Sequence, residues 1–420
     1  MLFMKYYDPM FYLCSKDMPF GIRVEIELKY KINESILCNA VNTAIKRYPY
    51  FSVKVEKKDG NYVTVPNSLP IKVIKGKLTY PLGSKEVNCH LVALTYSENT
   101  VNFYVTHVIT DGAGFTPFYK TVLYYYLCEF LGKDISPDNI RLADEPLFED
   151  EACNPYPEEK MENAVPLYIA PQKEYFRITD GGYVTDNIKT AYTFRARQSD
   201  VMKFSYENDA SPCALFSSIM AKAIWQVHPN ETKDLVSAIS FNLRSGLGNK
   251  YNYRMLCNAI MIRYPKKLNE YAVRKMCTCT RGAITVQSQP ENVLFYAQQK
   301  KEQLEKLLEM PDVNSKTAVL SKAALADSVN NTFSVSYVGK VDYGSLQEHI
   351  EKVQAFTDGS THKTLFMEIA SFGSWFHITL MQGFSCNVYY KALLDLLRTN
   401  GIEYVEDGAV PLDTPDIALP

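Results

Sequence analysis

Two periods of apolar residues alternate along the first third of the chain. Ile22, Val24, Ile26 and Leu28 interleave with Arg23, Glu25, Glu27 and Lys29, a period of two that predicts a half-buried strand over 22–30. From Asn33, a cap residue, Ile36, Leu37, Ala40, Val41, Ala44 and Ile45 fall at helical spacing. That helix is expected to end at Tyr48-Pro49, because proline disfavours helix in the residue before it. Phe51, Val53 and Val55 start another strand, and 62–65 and 71–74 are short strand candidates. Residues 90–96 and 100–106 predict a hairpin turned at Ser97-Glu98-Asn99. In its second arm Val101, Phe103 and Val105 alternate with Asn102, Tyr104 and Thr106. Residues 115–131 are then long, apolar and free of glycine, which predicts a helix with Pro117 in its first turn, where a missing N–H costs little. Between strand and helix lies His107-Val-Ile-Thr-Asp111-Gly112-Ala-Gly114. His107 is therefore placed at a strand end, and a glycine turn is expected to carry the chain into the helix.

Residues 134–172 break this pattern. Prolines 137, 146, 155, 157, 166 and 171 sit among acids, including Glu149-Asp150-Glu151 and Glu158-Glu159. The stretch predicts a crossover between two halves, its acids solvated on the surface. Beyond it the pattern predicts a strand at 190–195, a short helix from Ser199, and an apolar helix at 213–227 capped by Ser211-Pro212. A buried strand at 235–241 runs into Asn242-Leu243-Arg244-Ser245-Gly246, and Asn258 begins a strand over 259–263. A helix at 290–310, an alternating strand at 333–338, a hairpin of 367–370 with 375–381, a helix at 385–398 and a loose Pro-rich tail after Asp407 complete the chain. The expected units are an N-terminal subdomain over 1–150, a linker over 151–175 and a C-terminal subdomain over 176–420.

The 420 residues leave room for two or three units with ample core. Hydrophobic residues make up 46% and the net charge is -2, so nothing in the composition favours nucleic acid or an anionic membrane. No apolar run reaches the roughly eighteen residues of a membrane span, and 1–20 lacks the apolar core of a signal peptide. Ten cysteines are scattered, with Cys277-x-Cys279 the one close pair. This is expected of free thiols in a reducing cytoplasm and gives no metal-ligand spacing. Neither a Gly-x-Ser-x-Gly elbow nor a phosphate-binding loop occurs.

The candidate chemistry is general base catalysis by His107. Its ordinary pKa of about 6.5 suits it to accept a proton near neutrality. Asp111, four residues on, either pairs with His107 or turns away to pin the loop. Gly112 and Gly114 allow backbone angles and close approaches that a Cβ would forbid.

His107-x-x-x-Asp111-Gly112 resembles the motif of the chloramphenicol-acetyltransferase-like (CoA-dependent acyltransferase) superfamily. That group includes plant-type acyltransferases, alcohol acetyltransferases and the condensation domains of peptide synthetases. The opening strand-helix-strand with Lys46-Arg47-Tyr48-Pro49, and Ser336-Tyr337-Val338-Gly339, are similar to segments of its members. The resemblance implies an α/β mixed-sheet sandwich of two acetyltransferase-like subdomains with an active-site tunnel between them. It makes His107 the general base and Asp111 a structural residue whose salt bridge shapes the loop. Arg244 is then expected as the partner of Asp111, Asn258 as part of the family's Gly-Asn position, and Ser336 as a hydroxyl that can stabilise an oxyanion. It further implies acyl-CoA as a cosubstrate with no permanently bound cofactor, and a small-molecule hydroxyl or amine acceptor. The alternatives are a free-standing condensation-type protein fed by a carrier-protein pantetheine arm, or a non-catalytic binding protein of the same fold. Two departures narrow the likeness. Thr106 stands where condensation domains carry a second histidine, and Val341-Asp342-Tyr343-Gly344 is at best a remnant of the plant-type Asp-Phe-Gly-Trp-Gly segment.

Overall fold

The computed structural model describes residues 9–14, 19–156, 174–327, 331–358 and 364–420. Most of the expected linker, including Glu158 and Glu159, lies outside them. In the first half run β1 (Gly21–Leu28), α1 (Glu34–Ala44), β2 (Val53–Lys58), β3 (Asn61–Pro66), β4 (Val73–Lys75), β5 (Val92–Ser97), β6 (Thr100–Thr106) and α2 (Gly112–Leu131). In the second run β7 (Thr190–Arg197), α3 (Gln198–Glu207), α4 (Pro212–Val227), β8 (Leu235–Asn242), α5 (Arg244–Leu247), β9 (Cys257–Tyr264), α6 (Val273–Gln287), α7 (Pro290–Leu308) and α8 (Val313–Asp327). They are followed by β10 (Phe333–Lys340), β11 (Ile350–Asp358), β12 (Leu365–Phe372), β13 (Trp375–Gln382), α9 (Val388–Thr399) and β14 (Tyr404–Pro411). The architecture is mixed α/β with two principal mixed sheets.

One sheet has the order β11-β1-β6-β5-β4 and the other β14-β7-β13-β12-β10-β8-β9, with β2-β3 a separate ribbon. Each principal sheet has its own apolar core. That of the first packs Val24, Ile26, Phe103 and Val105 against Leu37 and Val41 of α1 and Phe115 and Phe118 of α2. That of the second packs Phe194, Ile239, Val335 and Ile378 against α4 and α9. The local signals work as expected: Asn33 accepts from the Ile36 N–H and Ser211 from the Ala214 N–H, both helix N-caps.

The halves are not strictly sequential. β11, from late in the chain and not foreseen, pairs antiparallel with β1, from Gly21 opposite Asp358 to Leu28 opposite Ile350. Thr379 of the second sheet donates to the Ala355 carbonyl at 2.9 Å, and Lys189 pairs with Asp358 at 2.7 Å. The first sheet thus ends on a strand that also holds the second.

Three expectations are corrected. The tail is not loose. Val405–Pro411 pair with β7, and the Leu82 N–H and the Ala418 N–H donate to Asp416 and Leu82 carbonyls at 2.8 and 2.7 Å, clipping the C-terminus onto the first half. Glu151 is not solvated. It is fully buried, bidentate to Arg47 (2.9 and 2.8 Å), accepts from Tyr50 OH (2.5 Å), and meets Arg141 (3.1 Å). An acid-rich stretch contributes a structural carboxylate because three donors from elsewhere converge on it. Finally, α2 starts at Gly112, not Phe115, so Pro117 lies inside the helix rather than at its entry.

Candidate active site

His107 is the first residue past β6, and the ladder holds it there. Thr106 stands opposite Gly21 in the β1–β6 pairing, and the His107 N–H donates to the Phe20 carbonyl at 2.6 Å. The imidazole Nδ1 lies 2.9 Å from the Thr110 carbonyl. A carbonyl only accepts, so Nδ1 carries the proton and Nε2 is left for the cavity.

Asp111 turns away from that ring. As N-cap of α2 its Oδ1 accepts from Gly114 N–H at 2.9 Å. The same carboxylate accepts from Arg244 Nη2 on Oδ1 and Nη1 on Oδ2, both at 2.9 Å, and from Leu256 N–H at 2.8 Å. Arg244 spends its remaining donors on the carbonyls of Asn252 (2.8 Å) and Arg254 (2.7 Å) and on Asn242 Oδ1 (3.1 Å). All five guanidinium hydrogens therefore have partners. The expected Asp111–Arg244 ion pair is present, at 4% and 5% exposure. It ties the loop after β6 to the segment between β8 and β9, across the two sheets.

The two glycines play unlike parts, and neither adopts the left-handed backbone of a glycine turn: both are helical. A Cβ on Gly114 would collide with the Tyr253 carbonyl, which also accepts from Thr110 Oγ1 at 2.6 Å. A Cβ on Gly112 would meet only Val338, at 3.6 Å. Close approach requires Gly114; Gly112 simply leaves a bare backbone on the cavity wall.

Counting the open solvent at its mouth, that cavity spans about 1130 Å³. Its walls come from both sheets: Ile22 and Val24 of β1, Val353, Ala355 and Thr357 of β11, Ser336 and Tyr337 of β10, and Glu368 and Ala370 of β12. His107, Asp111, Gly112, Arg244 and Ser336, all singled out in the sequence, line it. Asn258 does not. β9 alternates sides, so the residue that faces the cavity is its neighbour, Cys257.

Sequence reasoning missed Cys257 and Glu368. The signal for Glu368 was one carboxylate within an otherwise apolar strand, Leu365-Phe-Met-Glu-Ile-Ala370. It is 5% exposed and stands opposite Ser336 in the parallel β10–β12 register, so the Ser336 hydroxyl donates to its Oε1 at 2.9 Å. Burial pushes the Glu368 carboxyl up to about 7, against the Ser336 hydrogen bond and the His107 charge, which favour ionisation. At His107 burial lowers basicity, but the Cys257 sulfur beside the ring and then Asp111 outweigh it and raise the pKa to about 9. Tyr119 and Tyr343 close the apolar floor, their hydroxyls 3.4 Å apart.

The structure aligns with condensation domains over nearly its whole length. The first condensation domain of the CDA synthetase matches at TM-score 0.58 and 12% identity, covering 96% of this chain and 94% of that one. The fold is that of condensation domains. The structure of polyketide synthase associated protein 5 from Mycobacterium tuberculosis matches at TM-score 0.59 and 13% identity, over 95% of this chain and 97% of that one. TRI101 of F. graminearum, complexed with coenzyme A and T-2 mycotoxin, matches at TM-score 0.57 and 12% identity, over 96% and 100%. Identities this low establish the shared two-subdomain fold and nothing about the reaction. No curated protein matches the chain. The family described as mechanosensitive ion channel, beta-domain, matches residues 16–73, a stretch that here holds α1 between β1 and β2 and pairs through β1 with two distant strands. Among the described residues no helix is long and apolar enough to cross a membrane.

Proposed function

We propose that this chain transfers an acyl group from a thioester, acyl-CoA in the first instance, to a hydroxyl or amine acceptor, with His107 as general base. The observation that carries the reading is the His107 ring: Nδ1 is committed to Thr110, and the ring lines a cavity built from both sheets. The acceptor gives its proton to Nε2 as it attacks the thioester carbonyl. The imidazolium then returns that proton to the leaving thiolate. Holding both substrates in one apolar cavity supplies much of the rate. Asp111 and Arg244 act by positioning the loop that carries His107.

Ser336 is the oxyanion donor in this scheme. With Glu368 ionised its proton points at the carboxylate. With Glu368 protonated, the carboxyl donates to Ser336 Oγ and frees the serine proton for the tetrahedral oxygen. The titration of Glu368 near 7 makes that form accessible. TRI101 complexed with coenzyme A shares this fold, which supports the CoA form of the donor. The condensation domains that share it support a second reading, in which a carrier protein presents the acyl group on pantetheine. The division into subdomains over 1–150 and 176–420 belongs to this proposal, as does a cytoplasmic setting, which keeps the chain's ten cysteines reduced.

Thiol release is the test, measured from acyl-CoAs of several chain lengths with alcohols and amines, in the wild type and in His107→Ala. A fall of about 10²–10⁴-fold in the variant is expected, and equal rates would remove His107 as base. Silence with every CoA donor but turnover with an acylated carrier protein would select the second reading. Silence with both would leave a binding protein of this fold.

A further inference from the structure

We infer that Glu368 is the ammonium site of the acceptor: the chain acylates an apolar primary amine, and Glu368 takes its first proton. The inference rests on the acyltransferase reading above and narrows its acceptor from hydroxyl or amine to amine. Strand parity puts the carboxylate in the cavity. Phe366, Glu368 and Ala370 of β12 line it, while Leu365, Met367 and Ile369 belong to the core of the second sheet. An apolar residue at 368 would continue the apolar wall without electrostatic cost. A buried carboxylate is costly until a cation or several donors reach it.

Within the protein that carboxylate is served on one side only. The Ser336 hydroxyl reaches Oε1 at 2.9 Å, and no described residue donates to Oε2. The side chain is nearly fully buried yet lines the cavity, so the open oxygen is left to what enters there. The other acid of the wall, Asp111, is closed by Arg244 and two backbone N–H groups. Nor do the neighbours of Glu368 supply its cation. Arg244 is held by Asp111 and by three further acceptors. Cys213 on α4 and Tyr337 on β10 are both held neutral by burial. His107 favours the ionised carboxyl, but its Nε2 has to be free to take a proton during attack. A protonated amine brings the missing charge. An acceptor with a carboxylate of its own is disfavoured, since among the described residues no free guanidinium or ammonium lines the cavity.

The proton count explains why an amine needs this group. A hydroxyl has one proton to lose, and His107 suffices for it. A primary amine arrives near neutral pH as an ammonium, with an ordinary pKa of about 10, and has to lose two. Bound at Oε2, the ammonium passes the first to the carboxylate, which gives a neutral amine and a protonated Glu368. Burial favours this transfer, because it disfavours both charges of the starting pair. Burial also raises the Glu368 carboxyl to about 7, closer to the amine than an ordinary carboxyl at about 4.3. The amine nitrogen then attacks the thioester carbonyl and its second proton goes to His107 Nε2. The carbon–sulfur bond breaks, and the imidazolium protonates the departing thiolate. Amide and thiol leave, and Glu368 releases its proton to water. One ammonium and one thioester thus give one amide, one thiol and one proton.

The experiment uses the full chain and matched acceptors: phenethylamine, 2-phenylethanol and, as the acidic analogue, phenylalanine, each with acetyl-CoA and octanoyl-CoA. Thiol release gives kcat/KM for each, and the wild type should prefer phenethylamine to the other two. In Glu368→Gln, which keeps the shape of the side chain, the amine-to-alcohol ratio of kcat/KM should fall about a hundredfold. Isothermal titration without a donor should show phenethylamine binding weakened at least about tenfold in the variant, and 2-phenylethanol binding much less affected. A wild type that turns over the alcohol as well as the amine would overturn the inference and leave the acyltransferase reading intact. Equal losses for both acceptors in Glu368→Gln would do the same, reducing Glu368 to a counter-charge for His107. Silence with every acceptor and every donor, acylated carrier protein included, would end the acyltransferase reading instead. Titration then decides the site by itself, since amine binding unmoved by Glu368→Gln would remove it too.

Discussion

The Asp111–Arg244 pair offers a perturbation whose size follows from the geometry. In Asp111→Asn the side-chain amide keeps one acceptor oxygen and places an NH₂ against Arg244, whose five donors are otherwise all spent within the protein. The guanidinium is left 5% exposed with no counter-charge. In Arg244→Met the carboxylate keeps the Gly114 and Leu256 N–H groups but loses both charged donors. Removing one partner of a buried pair costs about 3–5 kcal/mol. A chain of 420 residues unfolding as one unit has a melting entropy of about 0.9 kcal/mol/K, so each single variant should melt about 3–6 °C lower. Urea titrations followed by circular dichroism give the free energies directly. The double variant Asp111→Asn/Arg244→Met should lose much less than the two single losses combined, because the second substitution removes the charge that the first stranded. Losses that add to within about 0.5 kcal/mol would refute the coupling. Thr110, whose carbonyl holds the His107 ring, adjoins Asp111. A misplacement of about 1 Å there should cost on the order of a hundredfold in turnover, even where Asp111→Asn is fully folded at the assay temperature.

The remaining predictions concern charge and space. The kcat/KM profile should rise with pH to a limb near 9 set by His107, and in Cys257→Ala or Cys257→Ser the limb should move to lower pH; an unmoved limb would exclude the sulfur as its cause. The folded-state pKa of His107 lies above its ordinary 6.5, so the stability this group supplies is full below 6.5 and lost as pH rises to about 9. The difference between wild-type and His107→Gln stability should shrink across that range. Burial raises the Glu151 carboxyl, but Arg47, Tyr50 and Arg141 hold it below its usual value. Its stability is therefore present above about 4.5 and lost in acid, and Glu151→Gln should cost about 3–5 kcal/mol at neutral pH and flatten the acid limb of the melting curve. Gly114→Ala, which drives a methyl into the Tyr253 carbonyl, should fail to fold or melt far below wild type, whereas Gly112→Ala, with Val338 at 3.6 Å, should keep its stability; comparable losses in the two would contradict the packing.

Local patterning alone determined a good deal of this molecule. Period-two runs placed β1 and β6, helical spacing after Asn33 placed α1, and the strand-to-helix junction put His107 where a backbone ladder holds it. Those signals are legible because each depends on neighbours within a few residues. The sites that escaped depend on distant ones. Glu151 reads as one acid among several until Arg47 and Tyr50 arrive from about a hundred residues away. β11 is short of any strong signature, and only its pairing with β1 makes it a strand of the first sheet. Cys257 and Asn258 differ in position by one residue, and the sheet's alternation, set by which face packs on the core, decides that the sulfur faces the imidazole. Glu368 meets Ser336 only through a register between two parallel strands. The histidine motif was written in the chain; the company that gives the ring its pKa and its cavity was assembled by tertiary contacts, because a buried charge is stabilised or costly according to what converges on it.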